Sequence, residues 1–376
     1  MTTDPVALSV ELIRKPSVTP ASHEAVAFMH DLLARHGFAC TRIDRGGIAN
    51  LHARYGEGGP VLGFNGHVDV VPSGDPAAWS SDPFGGTIRD GRLWGRGACD
   101  MKAAVAAFAA AAIDTAPQIA GSVVVTISGD EEGDGIDGTP AILDWMNGAG
   151  ERMDACIVGE PTCPGTMGEM MKIGRRGSMT AWITASGQQG HSAYPHLARN
   201  PIHAMVALLS RLSAFDLPDD SRLFDPTSVQ VTGFDTGNAA NNVIPERCRA
   251  MVNIRFNDAH GSEELRAWIG READAISAET GVTFDREIKV SGESFVTEPG
   301  AFSELVANAV EAETGLRPVA STSGGTSDAR FIRAHCPVVE FGLVNRTMHA
   351  VDENVEVAHI HRLKAIYARI IRAYLA

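Results

Sequence analysis

Val61-Leu-Gly-Phe-Asn-Gly-His-Val-Asp69 runs apolar and glycine-rich for six residues, then delivers a histidine and, two positions on, an aspartate. Three further segments follow the same plan: Val123-Val-Val-Thr-Ile-Ser-Gly-Asp-Glu131-Glu132, Cys156-Ile-Val-Gly-Glu160, and Val338-Val-Glu-Phe-Gly342 followed shortly by His349. Each reads as a buried strand whose carboxyl end puts out a side chain able to hold a metal. In open α/β sheets, ligands gather outside the carboxyl ends of the strands. The pattern therefore predicts an α/β fold with one site along one sheet edge.

Outward from these strands the chain falls into three zones. Residues 1–176 alternate β-rich apolar runs with helical stretches, including an Ala-rich run from Ala103 to Ile113. Residues 177–288 change grammar. Ser178–Ala185, Ser228–Thr232, Cys248–Phe256 and Val282–Ile288 read as strands, with helices over Pro201–Leu212 and Ser262–Thr280. That βαββαβ order is the ferredoxin-like (α+β) arrangement. Residues 289–376 add helices at Ala301–Thr314 and Ala358–Tyr374 around the strand Pro337–Phe341, too little for a domain of its own. The expected organisation is a discontinuous catalytic domain, 1–176 with 289–376, carrying 177–288 as an insertion.

With 376 residues, the chain is long enough for two domains. Its 32 basic against 46 acidic residues give a net charge of −14, which argues against nucleic acid or an anionic membrane surface as the main partner. The Ala103–Ile113 run is far short of the roughly 20 apolar residues of a membrane span and reads as a buried helix. The N-terminus shows no signal-peptide pattern; Thr3-Asp4-Pro5 reads as a helix start with Thr3 as N-cap. Six scattered cysteines without a C-x-x-C pair fit reduced thiols in a cytoplasmic protein.

Two histidines with several carboxylates, and no thiolate cluster, suit zinc in a hydrolytic site. A fifth ligand candidate, Asp100, lies in Gly95-Arg-Gly-Ala-Cys-Asp-Met-Lys102. One catalytic zinc needs three protein ligands, and five are on offer. If Asp100 bridges, each of two ions receives one histidine and two carboxylates: His67, Asp100 and Glu160 for one, and Asp100, Glu132 and His349 for the other. Two such ions clamp a water and polarise a carbonyl. Asp69 is expected on the same face as His67, accepting its second imidazole N–H. Glu131, beside a ligand, is placed to move the water's proton to a leaving amine.

The motifs Gly66-His-Val-Asp-Val-Val-Pro72, Gly95–Lys102, Asp130-Glu-Glu-Gly-Asp134 and Gly159-Glu-Pro-Thr162 resemble the co-catalytic zinc aminoacylase and carboxypeptidase superfamily. Gly174-Arg-Arg-Gly-Ser178, Gln189–His196, Asn241-Asn-Val-Ile-Pro245, Thr322–Asp328 and Val339–Asn345 narrow the similarity to its succinyl-diaminopimelate desuccinylases. The resemblance covers essentially the whole chain. It departs at Val68 and Cys99, where many relatives carry Thr and Ala. Beside Asp100, Cys99 is either a small buried side chain or an oxidation-sensitive thiol.

The resemblance implies a di-zinc exopeptidase-like catalytic domain with two Zn2+ per subunit, replaceable by Co2+, and an inserted lid domain that forms a homodimer. It implies His67, Asp100, Glu132, Glu160 and His349 as ligands, Asp69 and Glu131 in supporting and acid/base roles, and a small-molecule substrate. The implied reaction is hydrolysis of N-succinyl-LL-2,6-diaminopimelate on the path to lysine; acetylornithine deacetylases and aminoacylases share the metal residues, and a non-catalytic binding protein on the same fold is the remaining alternative. His191 would reach the partner's site and steady an oxyanion. Arg175, Arg176 and Arg255 would pair with substrate carboxylates, unless Arg175 or Arg176 instead bridges the domain junction. Gly325 and Thr326 would form a backbone N–H nest for a carboxylate. Ser178, Tyr194 and Asn242 join the substrate contacts by motif.

Overall fold

The computed structural model describes residues 2–376. The chain divides into two compact units. The first comprises residues up to 174 with 297–321 and 327–376; the second comprises 175–296 with 322–326. The first unit begins with strands β1 (Ala39–Arg42), β2 (Leu51–Tyr55), β3 (Val61–His67), β4 (Ser122–Ser128), β5 (Ala155–Val158) and β6 (Met170–Lys172). The chain then supplies β7 (Gly177–Ser186), β8 (Ser228–Asp235), β9 (Arg247–Phe256) and β10 (Thr283–Gly292) to the second unit. It returns for β11 (Val319–Ser321) and β12 (Val338–Glu340).

In the first unit the strands form one sheet in the order β1-β2-β4-β3-β5-β12-β6-β11. Its centre, β4-β3-β5-β12, is parallel. All residues of β3, β4 and β5 are buried. This is why these runs are apolar throughout rather than alternating, as expected where helices cover both faces of a parallel sheet. Because the four strands share one direction, their carboxyl ends bring His67, Glu131, Glu132 and Glu160 to a single edge.

The Ala-rich helix Ala103–Thr115 is buried on every turn. Its methyl side chains permit close packing against helices Pro5–Ile13 and Val357–Tyr374. Phe108 stacks on Phe64 at 4.1 Å between ring centroids, and Tyr367 meets both rings edge-on. The Tyr367 hydroxyl donates to the Phe341 carbonyl at 2.7 Å, so the buried phenol is satisfied. Among the described residues no helix is long and apolar enough to cross a membrane.

The first helix is capped one residue later than expected. The Asp4 carboxylate accepts the Val6 N–H at 2.9 Å, which puts Pro5 in the first helical turn. The Thr3 hydroxyl is engaged elsewhere, donating to Asp114 at 2.8 Å.

His52, on β2, is 2% exposed, and its ring lies 4.9 Å from that of Trp145. Burial, only partly opposed by the Glu151 charge, pushes its pKa down from 6.5 to about 4. As pH falls, the unfolded chain therefore takes up this proton first, and stability drops between about pH 6.5 and 4. The loss reaches roughly 3 kcal/mol at the acid end. Denaturant melts at pH 7, 5.5 and 4 should show that slope, and His52→Leu should flatten it; an equal slope in both proteins refutes the assignment.

The second unit is a four-stranded antiparallel sheet in the order β8-β9-β7-β10. Helices Pro201–Ala214 and Ser262–Thr280 complete the βαββαβ order. Its core gathers Met179, Ile183, Met205, Leu208, Ile254, Leu265 and Trp268. The last strand continues to Gly292 rather than stopping at Ile288, because Thr283–Val290 pairs along β7 and, after a bulge at Ser291, Gly292 pairs with Ser178. Trp182, Val231 and Phe234 on this unit's strands remain exposed.

Candidate functional site

His67 closes β3 and is 1% exposed. Its Nδ1 lies 2.9 Å from the backbone oxygen of Asp69, so Nδ1–H donates there. Nε2 then faces Asp100 Oδ1 at 3.1 Å and Glu160 Oε1 at 3.7 Å. The expected Asp69 carboxylate contact is not the one formed: its Oδ1 is 3.7 Å from Nδ1. Instead that carboxylate accepts the Glu131 and Glu132 amide hydrogens at 3.2 and 3.0 Å. The cause is local. The Asp69 carbonyl already satisfies the ring, while the turn after β4 presents two buried-side amides that need acceptors.

Asp100 sits in the irregular turn Ala98–Lys102 ahead of the Ala-rich helix. Its Oδ2 is 3.2 Å from His349 Nε2, which in turn lies 2.9 Å from Glu132 Oε1. Ligand atoms of His67, Asp100 and Glu160 fall within 4.8 Å of one another, and so do those of Asp100, Glu132 and His349. Asp100 belongs to both groups. His67, Glu131 and Glu132 make a third group, so Glu131 is within reach of the same space. Glu160 is held by the close approach of Gly342: a Cβ there would lie 2.4 Å from the carbonyl oxygens of Gly159 and Glu160.

The electrostatics are those of a cation site. Burial opposes charge on His67, yet the Asp100 hydrogen bond and the charges of Asp100, Glu131 and Asp69 push its pKa well above the usual imidazole range. Hydrogen bonds to Asp100 and Glu132 raise His349 to about 10. Burial raises Asp69 to about 6 against the pull of His67. Burial, then Glu160, pushes Glu131 well above the carboxylate range. Asp100, although buried, is held well below it by His349 and His67. Imidazole nitrogens and carboxylate oxygens, in excess of negative charge and without a thiolate in any group, are donors that fit zinc or cobalt.

Two residues not singled out from the sequence hold the surrounding loops. Arg96 is 3% exposed and Glu353 is fully buried; Arg96 Nη1 donates to Glu353 Oε2 at 2.7 Å. Arg96 lies within Gly95–Lys102 and Glu353 four residues past the candidate ligand His349, but no local pattern joins positions so far apart in the chain. Cys99 is wholly buried, and burial with the charge of Glu353 pushes its thiol well up. It is an inert small side chain.

The remaining candidates all belong to the second unit. Arg175 is buried and donates to the Gly325 carbonyl at 3.1 Å. Gly324 has φ +108°, and a Cβ there would lie 2.7 Å from Arg175 Nη1, so glycine is required. Arg175 thus anchors the loop carrying Gly325 and Thr326. Ser178 pairs with Arg255 across the β7–β9 ladder. Burial, then the charge of Arg176, lowers the pKa of Arg255. The hydrogen bonds of these two arginines run to Asn253 and to the Pro226 carbonyl. His191, Tyr194 and Asn242 gather separately. His191 pairs with Val243, its ring is 5.7 Å from that of Tyr194, and the Ser192 N–H donates to the Asn242 carbonyl at 3.0 Å. His191 Nδ1 accepts the Ala193 N–H at 3.0 Å, leaving Nε2 as the outward donor.

With this fold and this arrangement of histidines and carboxylates, the chain belongs to peptidase family M20/M25/M40, whose model matches residues 63–373. It is 62% identical, over all of both chains, to a succinyl-diaminopimelate desuccinylase of Cereibacter sphaeroides. A desuccinylase of Ruegeria pomeroyi is 59% identical over the same full span. An M20 family metallo-carboxypeptidase of Sulfolobus solfataricus shares the fold at TM-score 0.81 and 17% identity, covering 99% of each chain.

Proposed function

We propose that the chain is a two-zinc amide hydrolase that converts N-succinyl-LL-2,6-diaminopimelate and water to succinate and LL-2,6-diaminopimelate, a step towards lysine. The observation that carries the chemistry is Asp100, whose two oxygens face His67 on one side and His349 on the other. Full-length identity of 62% to a desuccinylase supports the substrate.

His67, Asp100 and Glu160 would hold one ion, and Asp100, Glu132 and His349 the other. Bound there, two divalent cations polarise the scissile carbonyl and make water a nucleophile at neutral pH. Glu131 takes the proton as the water oxygen bonds to the succinyl carbonyl carbon. When the C–N bond breaks, Glu131 returns that proton to the leaving amine. Asp69 fixes this geometry twice, through its carbonyl to His67 Nδ1 and through its carboxylate to the Glu131 and Glu132 amides. Arg176 and Arg255, mutually repelling and without a salt bridge among the described residues, suit the carboxylates of the substrate. Ser178, Tyr194, Asn242, Gly325 and Thr326 add polar contacts, and Arg175 shapes the loop.

The working form is a homodimer through the second unit, a reading supported by the exposed Trp182, Val231 and Phe234. His191 then offers Nε2–H to the oxyanion in the partner's site. Six free thiols suit a cytoplasmic protein. The test is an amide-hydrolysis assay offering the succinyl substrate beside acetylornithine and a plain N-acetyl amino acid. The expected result is a preference of at least a hundredfold in kcat/KM for the succinyl compound, abolished by chelator and restored by Zn2+ or Co2+. Turnover of only the acetyl compounds overturns the substrate.

A further inference from the structure

The five ligand candidates are not held equally well. His67 lies on a strand bonded on both sides, to β4 and β5. Glu160 lies two residues past the end of β5 under Gly342, and the amide of Glu132 is tied to Asp69. Asp100 and His349 lie outside the sheet. His349 has φ +61°, an unfavourable region for a residue with a Cβ, and its side chain is 44% exposed. Something other than the β ladder must set the distance between these two.

One carboxylate does so. Glu353 Oε1 accepts the amide hydrogens of Cys99 and Asp100 at 2.9 and 3.1 Å, and Oε2 accepts that of Gly97 at 3.0 Å. The fourth donor is Arg96. The same guanidinium reaches the carbonyls of His349 at 3.4 Å, Ala350 at 3.3 Å and Pro72 at 3.3 Å. Its plane is backed by the Trp79 ring at 5.2 Å. The backbone of Asp100, the backbone of His349 and the loop beyond Asp69 thus meet at one buried pair. Neither member belongs to a ligand group, and both Glu353 oxygens are already occupied by donors.

We infer that Arg96 and Glu353 are a positioning pair that sets the spacing of Asp100 and His349, and with it the affinity of the second metal position, without touching metal or substrate. The inference rests on the two-metal reading above. The first position keeps His67 and Glu160 on strand ends, so its dependence on the pair is smaller. The second draws two of its three ligands, Asp100 and His349, from the segments the pair holds. Glu353→Gln preserves shape but turns one acceptor into a donor, which faces either the Cys99 and Asp100 amides or Gly97 and Arg96. In both orientations donor meets donor, and the turn carrying Asp100 must shift.

The experiment is titration of the chelator-treated full-length protein with Zn2+ against a competing chromophoric chelator, repeated with Co2+ by visible absorption. Wild type should bind two equivalents. Glu353→Gln should bind the first within threefold of wild type and the second roughly ten- to a hundredfold more weakly, the scale for partners of metal ligands. Its kcat should fall at limiting metal and recover with excess metal, with KM changed less than threefold. A second equivalent as tight as in wild type overturns the inference. So does equal weakening of both equivalents together with a lowered melting temperature, which would mark the pair as a fold stabiliser only. Arg96→Lys keeps the charge but cannot reach Glu353 and three carbonyls together, and it carries the same outcomes if Glu353→Gln yields no folded protein. Wild type binding fewer than two equivalents is a separate result: it removes the two-metal reading itself.

Discussion

Replacing Glu131 by glutamine leaves two metal equivalents bound and lowers kcat by roughly a thousandfold, within the usual range for loss of a general base. The amide fills the same volume and cannot accept a proton from water at neutral pH. Its backbone N–H still donates to Asp69, so the turn that carries Glu132 is kept. The measurement matters because Glu131 also groups with His67 and Glu132 at ligand distance. A ligand role predicts a lost equivalent, whereas a proton-transfer role predicts full metal content with lost turnover. Turnover within tenfold of wild type would remove Glu131 from the mechanism. Mixing this variant with His191→Ala adds a test of the dimer. Where His191 serves the partner's site, mixed dimers contain one site with both Glu131 and His191, and activity reappears on subunit exchange. Absence of recovery after demonstrated exchange argues that His191 works within its own chain or not at all.

The parts of this site that were legible in the sequence are those written by strand ends. His67, Glu132 and Glu160 follow apolar runs, and the parallel centre of the sheet brings all such ends to one edge whatever the intervening loops do. The ferredoxin-like order of the second unit was legible for a similar reason, since two helices and four strands with regular spacing leave few alternatives. What could not be read is how backbone polar groups are shared. The Asp69 side chain was expected on His67 because the two residues are two apart. That spacing fixes a face, but it does not decide whether the carbonyl or the carboxylate meets the ring. Arg175 was expected on substrate, and nothing in its position in the chain foretold that it also donates to the Gly325 carbonyl. Arg96 and Glu353 lie 257 positions apart. Their pairing follows only from where the last loop of the first unit comes to rest.

Asp100→Ala and His349→Ala together give the sharpest test of the shared ligand. Asp100 Oδ1 faces His67 and Oδ2 faces His349, so deleting the carboxylate strips one donor from each group. His67 with Glu160, and Glu132 with His349, are then left as pairs, and two ligands fall below the three that catalytic zinc sites use. The expected result is a protein that binds neither ion tightly and has no measurable turnover. His349→Ala removes a donor from one group only. It should hold one equivalent, bound as tightly as the first in wild type, with kcat lowered at least a hundredfold. His349 is nearly half exposed, so the alanine variant should melt within a few degrees of wild type in the metal-free state. Loss of metal in it therefore reports ligation rather than folding. One equivalent remaining in Asp100→Ala would mean that the ions do not share Asp100, and two in His349→Ala would remove His349 from the ligands. In either case Glu131 or another carboxylate completes a site, and the proton must be carried by a different group.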